Sequence, residues 1–525
     1  MGQSDIFQHG VASGDPLTDR IMIWTRCQRE SKVTWTVATD QALRHVVASG
    51  QVPARSEHDL TVKVDVDNLE PGTTYYYFFE AERETSAVGR TRTLPAECDH
   101  FRFAVYSCAK YNAGYFNAHA RMAERDDIGF VLCLGDYIYE YGNHQKGLGA
   151  KIGRAFEPDN ECRNLEDYRN RYSQYRRDPM LQRLHQMHPL INIVDDHEFC
   201  NDTWRDGAGG QHDKEDGDWH VRKEAAFRAW REWIPVRLPD PHDPTRIYRT
   251  VSLGALADLI LLDSRTRRDK QTKDRQVLEQ ADRTILGKEQ LDWFQRECKR
   301  SKAAWCIVAN AVMMGQVKSH FMPEELGNPL SELGVLTARE HGPEPDQWDG
   351  YPAERRRLLE CIQDNGLSNV LFLSGDCHSS WAIDIRLDPD HPEQRSIGAE
   401  FCATSVTSEN LDDDAGWDSR TRSIEIEKEI VTRNPHIHWV ETDSHGYLIV
   451  DVGSDRIQGD WWFVDAIHVP HPGQHSSESW MVQRDERHIR KAPGPVLNGP
   501  AAAAFSTALR ASQASAPGDP SAPST

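Results

Sequence analysis

FRFAVY (101–106) running into Ser107-Cys108 is the stretch on which the reading of this chain turns, because its pattern returns three more times. GFVLCL (129–134) runs into Gly135-Asp136-Tyr137-Ile138-Tyr139 and PLINIV (189–194) into Asp195-Asp196-His197-Glu198. NVLFL (369–373) runs into Ser374-Gly375-Asp376-Cys377-His378. Short apolar runs that end in polar clusters are how parallel strands of an α/β sheet deliver side chains to a shared edge. Ligands of such sheets sit beyond the carboxyl ends of the strands. Tips that carry Asp, His, Cys and Tyr together point to a metal centre.

Each tip also has a plainer reading. Gly135-Asp136 alone reads as a turn, since Gly supplies unusual dihedrals and Asp bonds its own backbone. One Asp of the Asp195-Asp196 pair reads as a cap, and His378 alone reads as a surface histidine. Adjacent carboxylates at a strand end repel, however, unless a cation or helix terminus offsets them. The recurrence of such tips favours metal. A pair of close cations clamps a phosphate, generates hydroxide near neutral pH and offsets charge on the leaving oxygen. Asp136 is placed to bridge them. Oxygen ligands such as Asp196 and Asp376 suit calcium, magnesium or manganese, whereas the Cys108 thiolate, with Tyr139 close by, suits iron or zinc.

The order Ser-Cys, Gly-Asp-Tyr-Ile-Tyr-Glu-Tyr, Asp-Asp-His-Glu and Ser-Gly-Asp-x-His-Ser-Ser resembles the PhoD-type alkaline phosphatases of the calcineurin-like metallophosphoesterases. His9-Gly-Val-Ala-Ser-Gly-Asp-Pro16 with Ile23-Trp-Thr-Arg26, and His445-Gly-Tyr447 with Val450-Asp451-Val452, extend the resemblance from about residue 7 to about 465. It implies metal-dependent hydrolysis of mono- or diesters of phosphate by a metal-bound hydroxide. It further implies that Cys108, Asp136 and Tyr139 hold Fe(3+), that Asp136 bridges to Ca(2+), and that Asp196, Asn201, Asp376 and His378 complete the metal set. Manganese, zinc, magnesium and cobalt are the alternatives. His197 matches the histidine that touches the phosphate or protonates the leaving group, so His197, Asp136 and Asp196 are the expected catalytic residues. The family's frequent Asn-Asn pair is Asn201-Asp202 here, which leaves the ligand open between the two. Some relatives cleave phospholipid head groups, making a phospholipase-D-like diesterase the alternative activity. A non-catalytic binding protein would require lost ligand positions, and these are present.

The implied architecture is a four-layer metallophosphoesterase-type β-sandwich flanked by helices, over residues 98–467. Before it, KVTWTVAT (32–39), LTVKVDV (60–66) and the Leu69-Glu-Pro-Gly-Thr-Thr-Tyr75 corner alternate as antiparallel strands do, and give residues 1–97 the look of an all-β immunoglobulin- or fibronectin-like domain. Trp24 is expected to hold that sandwich together. Residues 166–186 and 221–233 read as helices. Arginines between the tyrosines at 168–177 either line a solvated helix face or reach the phosphate. Trp480-Met481 suggests a final short helix, and the Pro/Ala/Ser-rich end is expected to be a disordered tail, together filling 468–525.

The 525 residues carry a net charge of −21, which argues against a nucleic-acid backbone as main partner. A small phosphate ester remains compatible once site cations are counted. The 11 cysteines follow no zinc-ribbon or disulfide pattern. No apolar run reaches the ~18 residues of a transmembrane helix. MGQSDIFQHG lacks a basic stretch followed by an apolar one, so the chain as given reads as cytoplasmic. The resemblance adds twin-arginine export, to the periplasm or outside, where a signal has been trimmed.

Overall fold

The computed structural model describes residues 4–143, 148–211, 216–318, 345–391 and 393–496. The expected Pro/Ala/Ser-rich tail lies largely outside these residues. Strands and helices combine in an α/β arrangement around two large mixed sheets.

One sheet has ten strands. It runs from Ile489–Lys491 through Gln474–Gln483, Arg456–Val464, Gly446–Gly453, His100–Tyr106, Val131–Cys133, Leu190–Asn192, Val11–Gly14 and Ile21–Arg26 to Thr61–Val66. The other has seven, in the order Arg249–Ser252, Ala257–Leu261, Trp305–Ala309, Val370–Ser374, Gly398–Cys402, Ser380–Ile385, Ile437–Glu441. The three central strands His100–Tyr106, Val131–Cys133 and Leu190–Asn192 are parallel, with Leu132 opposite Val105 and Ile191. Ala257–Leu261, Trp305–Ala309, Val370–Ser374 and Gly398–Cys402 are likewise parallel neighbours.

Successive strand residues face opposite ways. Phe103, Val105, Leu132 and Ile191 from the first sheet therefore share a core with Leu259, Ile307, Leu371 and Phe401 from the second. The alternate residues of the first sheet, Ala104, Val131 and Cys133, pack with Tyr168, Tyr172, Phe227 and Trp230 of the helices Leu165–Arg176 and Trp219–Trp233. Those of the second, Ile260, Val308 and Phe372, pack with Phe294, Leu358 and Leu359 of Gly287–Arg300 and Pro352–Asp364. Apolar side chains on both faces explain why the strands read as unbroken apolar runs.

Two expectations need correcting. The stretch around Trp480 and Met481 is no helix but the strand Gln474–Gln483, antiparallel to Arg456–Val464, with Gly459 opposite Trp480. Only Ser479 and Val482 of this stretch are buried, and sheet pairing decides the outcome. Trp24, in turn, does not hold the N-terminal strands to each other. It belongs to the core shared with the long helices, donates from Nε1 to the Glu232 carbonyl at 2.8 Å and lies under the Arg176 guanidinium. The sheet also runs across the expected boundary at 97: Gly14 pairs in parallel with Leu190, and the Asp15 amide donates to the Leu190 carbonyl at 2.9 Å. Among the first residues, Ser31–Ala38, Val46–Ala54 and Thr74–Ala81 form a separate sheet whose Val33, Val37, Tyr77 and Phe79 pack on Ile21, Ile23 and Val62.

Candidate metal centre

The tips converge from both sheets rather than from one edge. Ser107 bridges to Ser405 across the sheets, and a Cβ at Gly375 would lie 2.6 Å from Ser107 Oγ, so only glycine allows that approach. Gly135 sits at φ 108°, and a Cβ there would meet the Asp195 backbone nitrogen at 2.5 Å. The tips themselves are strained. Cys108, Asp136, Asp376 and His378 have φ of 57°, 54°, 64° and 48° in the left-handed region. Side chains other than glycine adopt it rarely, and such residues gather at functional sites.

Ligating atoms of Cys108, Asp136 and His378 lie within 4.8 Å of one another. So do those of Asp136, Asp196 and His197, and those of Asp195, Asp196 and Asp376. Asp136 thus belongs to two of these groups, as a bridging carboxylate must. Tyr139 joins through its hydroxyl, which donates to Asp136 Oδ2 at 2.8 Å and accepts from Ser408 Oγ at 2.6 Å. The His378 Nδ1 faces the Glu409 carbonyl at 2.8 Å, and its Nε2 lies 3.4 Å from the Tyr139 hydroxyl. The Asn201 side-chain oxygen accepts from the Tyr141 hydroxyl at 3.0 Å. The neighbouring Asp202 amide donates to Asp196 Oδ2 at 2.7 Å, and burial pushes its carboxyl up to about 7.

Electrostatically the pocket calls for positive charge. Burial, with Asp196, Glu198 and Asp376 close by, holds the Asp136 carboxyl well above the usual range. Burial and the nearby Asp376 and Asp196 do the same to Asp195 against the pull of Arg265. Asp196 goes the other way, because Arg265 and His197 outweigh its burial. Burial, with Asp136 beside them, pushes the Cys108 thiol and the Tyr139 phenol up. Buried Asp195 Oδ2 and Asp196 Oδ1 have no hydrogen-bond partner. Orphaned carboxylate oxygens cost free energy unless a cation meets them. The donor set therefore fits metal.

Several groups went unread in the sequence. Glu198 accepts from the amides of Tyr137 (2.7 Å), Asp195 (2.8 Å) and Asp136 (3.1 Å), tying two tips together. Glu140 Oε2 meets His197 Nδ1 at 2.7 Å, and Oε1 accepts from the Asn201 amide at 2.7 Å. Fully buried Arg265 donates to Asp195, to Asp346 at 2.6 Å and to Asp376 at 2.5 Å. It ends a further tip, since the strand Ala257–Leu261 runs into Asp263-Ser264-Arg265. The same signal could have found it. Lys110 pairs with Glu409 at 2.8 Å and lies 5.5 Å from the Tyr141 ring centre, a pairing with no local signature. The arginines at 168–177 serve packing: Arg171 donates to the carbonyls of Tyr139, Tyr141 and Asn160, and Arg176 lies over Trp24.

The family model described as PhoD-like phosphatase matches residues 103–461, and that of the PhoD-like phosphatase N-terminal domain matches 2–95. The chain is 33% identical over 520 residues to alkaline phosphatase D of Bacillus subtilis (strain 168), covering 94% of this chain and 83% of the relative. A solved structure of PhoD aligns with TM-score 0.82 at 32% identity, over 95% of this chain and 94% of its own. Every tip described above falls inside the first of these matches, and the chain belongs to the PhoD-like phosphatase family.

Proposed function

We propose that this protein hydrolyses phosphate esters at a centre of two cations held between its sheets. The observation that carries the reading is the buried carboxylate cluster at the strand tips, with Asp195 Oδ2 and Asp196 Oδ1 left without partners. Cys108, Asp136 and Tyr139 would hold one cation, with His378 beside them. Asp136, Asp196 and Asp376 would hold the other, with Asp195 and either Asn201 or Asp202 in reach. Thiol, phenol and imidazole favour iron on the first side, and the carboxylates favour calcium on the second. Such ions, when bound, neutralise charge on the phosphoryl oxygens and acidify an attacking water.

The remaining chemistry belongs to this chain's own groups. Burial alone would discharge His197, but Glu140, meeting its Nδ1 at 2.7 Å, opposes that and favours the protonated imidazole. With Nδ1 committed to Glu140, Nε2 keeps a proton for the leaving oxygen. Tyr139 stacks on the ring at 4.1 Å and fixes its plane. In the finer fold reading, helices, two facing sheets and further helices make the four layers of the metallophosphoesterase architecture, and the first hundred or so residues follow an immunoglobulin-like plan.

Asp136→Asn tests the proposal. It keeps the shape of the side chain and removes the bridging charge, so at least one metal per chain and most turnover should be lost. Metal analysis beside assays on mono-, di- and triesters checks this, and full metal content with near-normal turnover would show that Asp136 is not the bridge.

A further inference from the structure

A second convergence of ligating groups lies at the other end of the Ser380–Ile385 strand. Asp384, His438 and His488 bring ligand atoms within 4.8 Å of one another. From His378 to Asp384 the chain runs along that strand, and at ~3.3 Å per residue the two places are roughly 20 Å apart. The groups come from separate elements. Asp384 is fully buried in Ser380–Ile385, and His438 lies on Ile437–Glu441, the outermost strand of the seven-stranded sheet. His488 precedes Ile489–Lys491, the outermost strand of the ten-stranded sheet.

Both imidazoles aim at one atom. His488 Nδ1 is 2.5 Å and His438 Nε2 is 3.0 Å from Asp384 Oδ2, and the rings stand at 77° to each other. The His438 Nε2 is buried, yet at that distance it has no aligned hydrogen bond. The other carboxylate oxygen accepts from the Ile489 amide at 2.8 Å, which fixes the orientation of the carboxylate. Zinc–nitrogen and zinc–oxygen bonds of about 2.0–2.2 Å place tetrahedral ligands about 3.4 Å apart, so the two imidazoles, now 2.5 and 3.0 Å from the carboxylate, need open by less than about 1 Å to admit the ion. Two imidazoles and a carboxylate are a zinc-type donor set. The side chain of His488 is 51% exposed, so water can reach the fourth position.

We propose that Asp384, His438 and His488 form a site for a divalent cation of the zinc type, which clasps the outer edges of the two sheets. Ligands from both edges make the last strand part of the site, so cation binding stabilises its docking.

The test uses the full chain and zinc as the probe. After zinc loading and desalting, wild-type protein should hold one equivalent more than His438→Asn/His488→Asn, with ester turnover equal in both. Occupancy of the phosphatase centre is common to the two proteins and cancels in the difference. Cobalt should give wild type an added four-coordinate visible absorption that the variant lacks. Added zinc should also raise the melting temperature of wild type more than that of the variant. Where the double variant fails to fold, His488→Asn at its open position makes the same comparison. Equal zinc content, with no difference in cobalt absorption or in zinc-induced stabilisation, would overturn the site and leave a His-Asp-His ion network only.

Discussion

Replacing Glu198 by glutamine should separate the fold from the chemistry. Its two carboxylate oxygens accept from three backbone amides, those of Tyr137, Asp195 and Asp136. Glutamine keeps one acceptor oxygen and turns an NH2 toward the amides that faced the other. A hydrogen bond to a charged group is worth about 1.5–3 kcal/mol, so losing one or two costs about 2–6 kcal/mol gross. An opposing effect comes from burial, which pushes the Glu198 carboxyl up to about 7. The charged form is costly there, and a neutral side chain escapes about 1.4 kcal/mol for each pKa unit of that displacement. The two effects largely offset, leaving Glu198→Gln within about 2.5 kcal/mol of wild-type stability. Turnover has no such offset. The amides that move carry the Asp136 and Asp195 tips, and a misplacement of ~1 Å costs roughly 100-fold. Urea unfolding, metal analysis and turnover on a phosphomonoester, measured on the same preparation, decide the matter. Wild-type turnover at wild-type metal content would refute the positioning role.

Tyr139→Phe should abolish or strongly shift the visible absorption of concentrated protein, because the phenol is the group placed to bind ferric iron; a colourless, iron-free and fully active preparation would exclude iron. Trp24→Ala should cost about 3–5 kcal/mol through a cavity beneath the Trp219–Trp233 helix, visible as a lowered melting temperature, while turnover per folded molecule stays near wild type. His119 is buried against Tyr106 and Phe116 with neither ring nitrogen hydrogen-bonded, and burial, aided by Arg154, lowers it to about 3. The folded chain stays neutral there while the unfolded chain takes a proton below about pH 6.5, so its contribution to stability is complete above that pH and is lost by about 1.4 kcal/mol per unit as pH falls toward 3. His119→Phe should reduce the acid slope of unfolding free energy by about one proton, with His185 and His188, lowered by burial in the same sense, keeping the rest. An unchanged slope would show that His119 is solvated.

The strand tips were legible because strands covered on both faces are apolar throughout, so the first polar residue marks their end. That same completeness hid the role of Trp24. Its strand, Ile21–Arg26, is buried at every position but the last, and a run without alternation does not say which neighbour covers which face. The strand at 474–483 failed for the opposite reason. QHSSESWMVQ has only Ser479 and Val482 buried, a signal weaker than the pairing with Arg456–Val464 that determines it. Lys110 and Glu409 were beyond reach of any local reading, since the fold alone brings them together. Arg265 was not, for it follows an apolar run as the acidic tips do.

That arginine makes physical sense of the cluster. Its donors account for one oxygen each of Asp195 and Asp376, and it lies 3.7 Å from Asp196 Oδ2. Asp195 Oδ2 and Asp196 Oδ1 still lack partners, and Asp136 makes no ion pair with it. Arg265, with His197 beside Asp196 and Asp136, is thus enough to keep the carboxylates together in the folded chain and too little to satisfy them. Left-handed backbone at Cys108, Asp136, Asp376 and His378 adds about 1 kcal/mol or more of strain at each, held in place by contacts such as those of Glu198. In the two-cation reading, the fold sustains this arrangement beforehand, and ions entering it meet oriented donors whose charge is already under-compensated. Affinity then comes from relieving that imbalance more than from reorganising the tips, which is why a positioning residue such as Glu198 should govern turnover more than it governs folding.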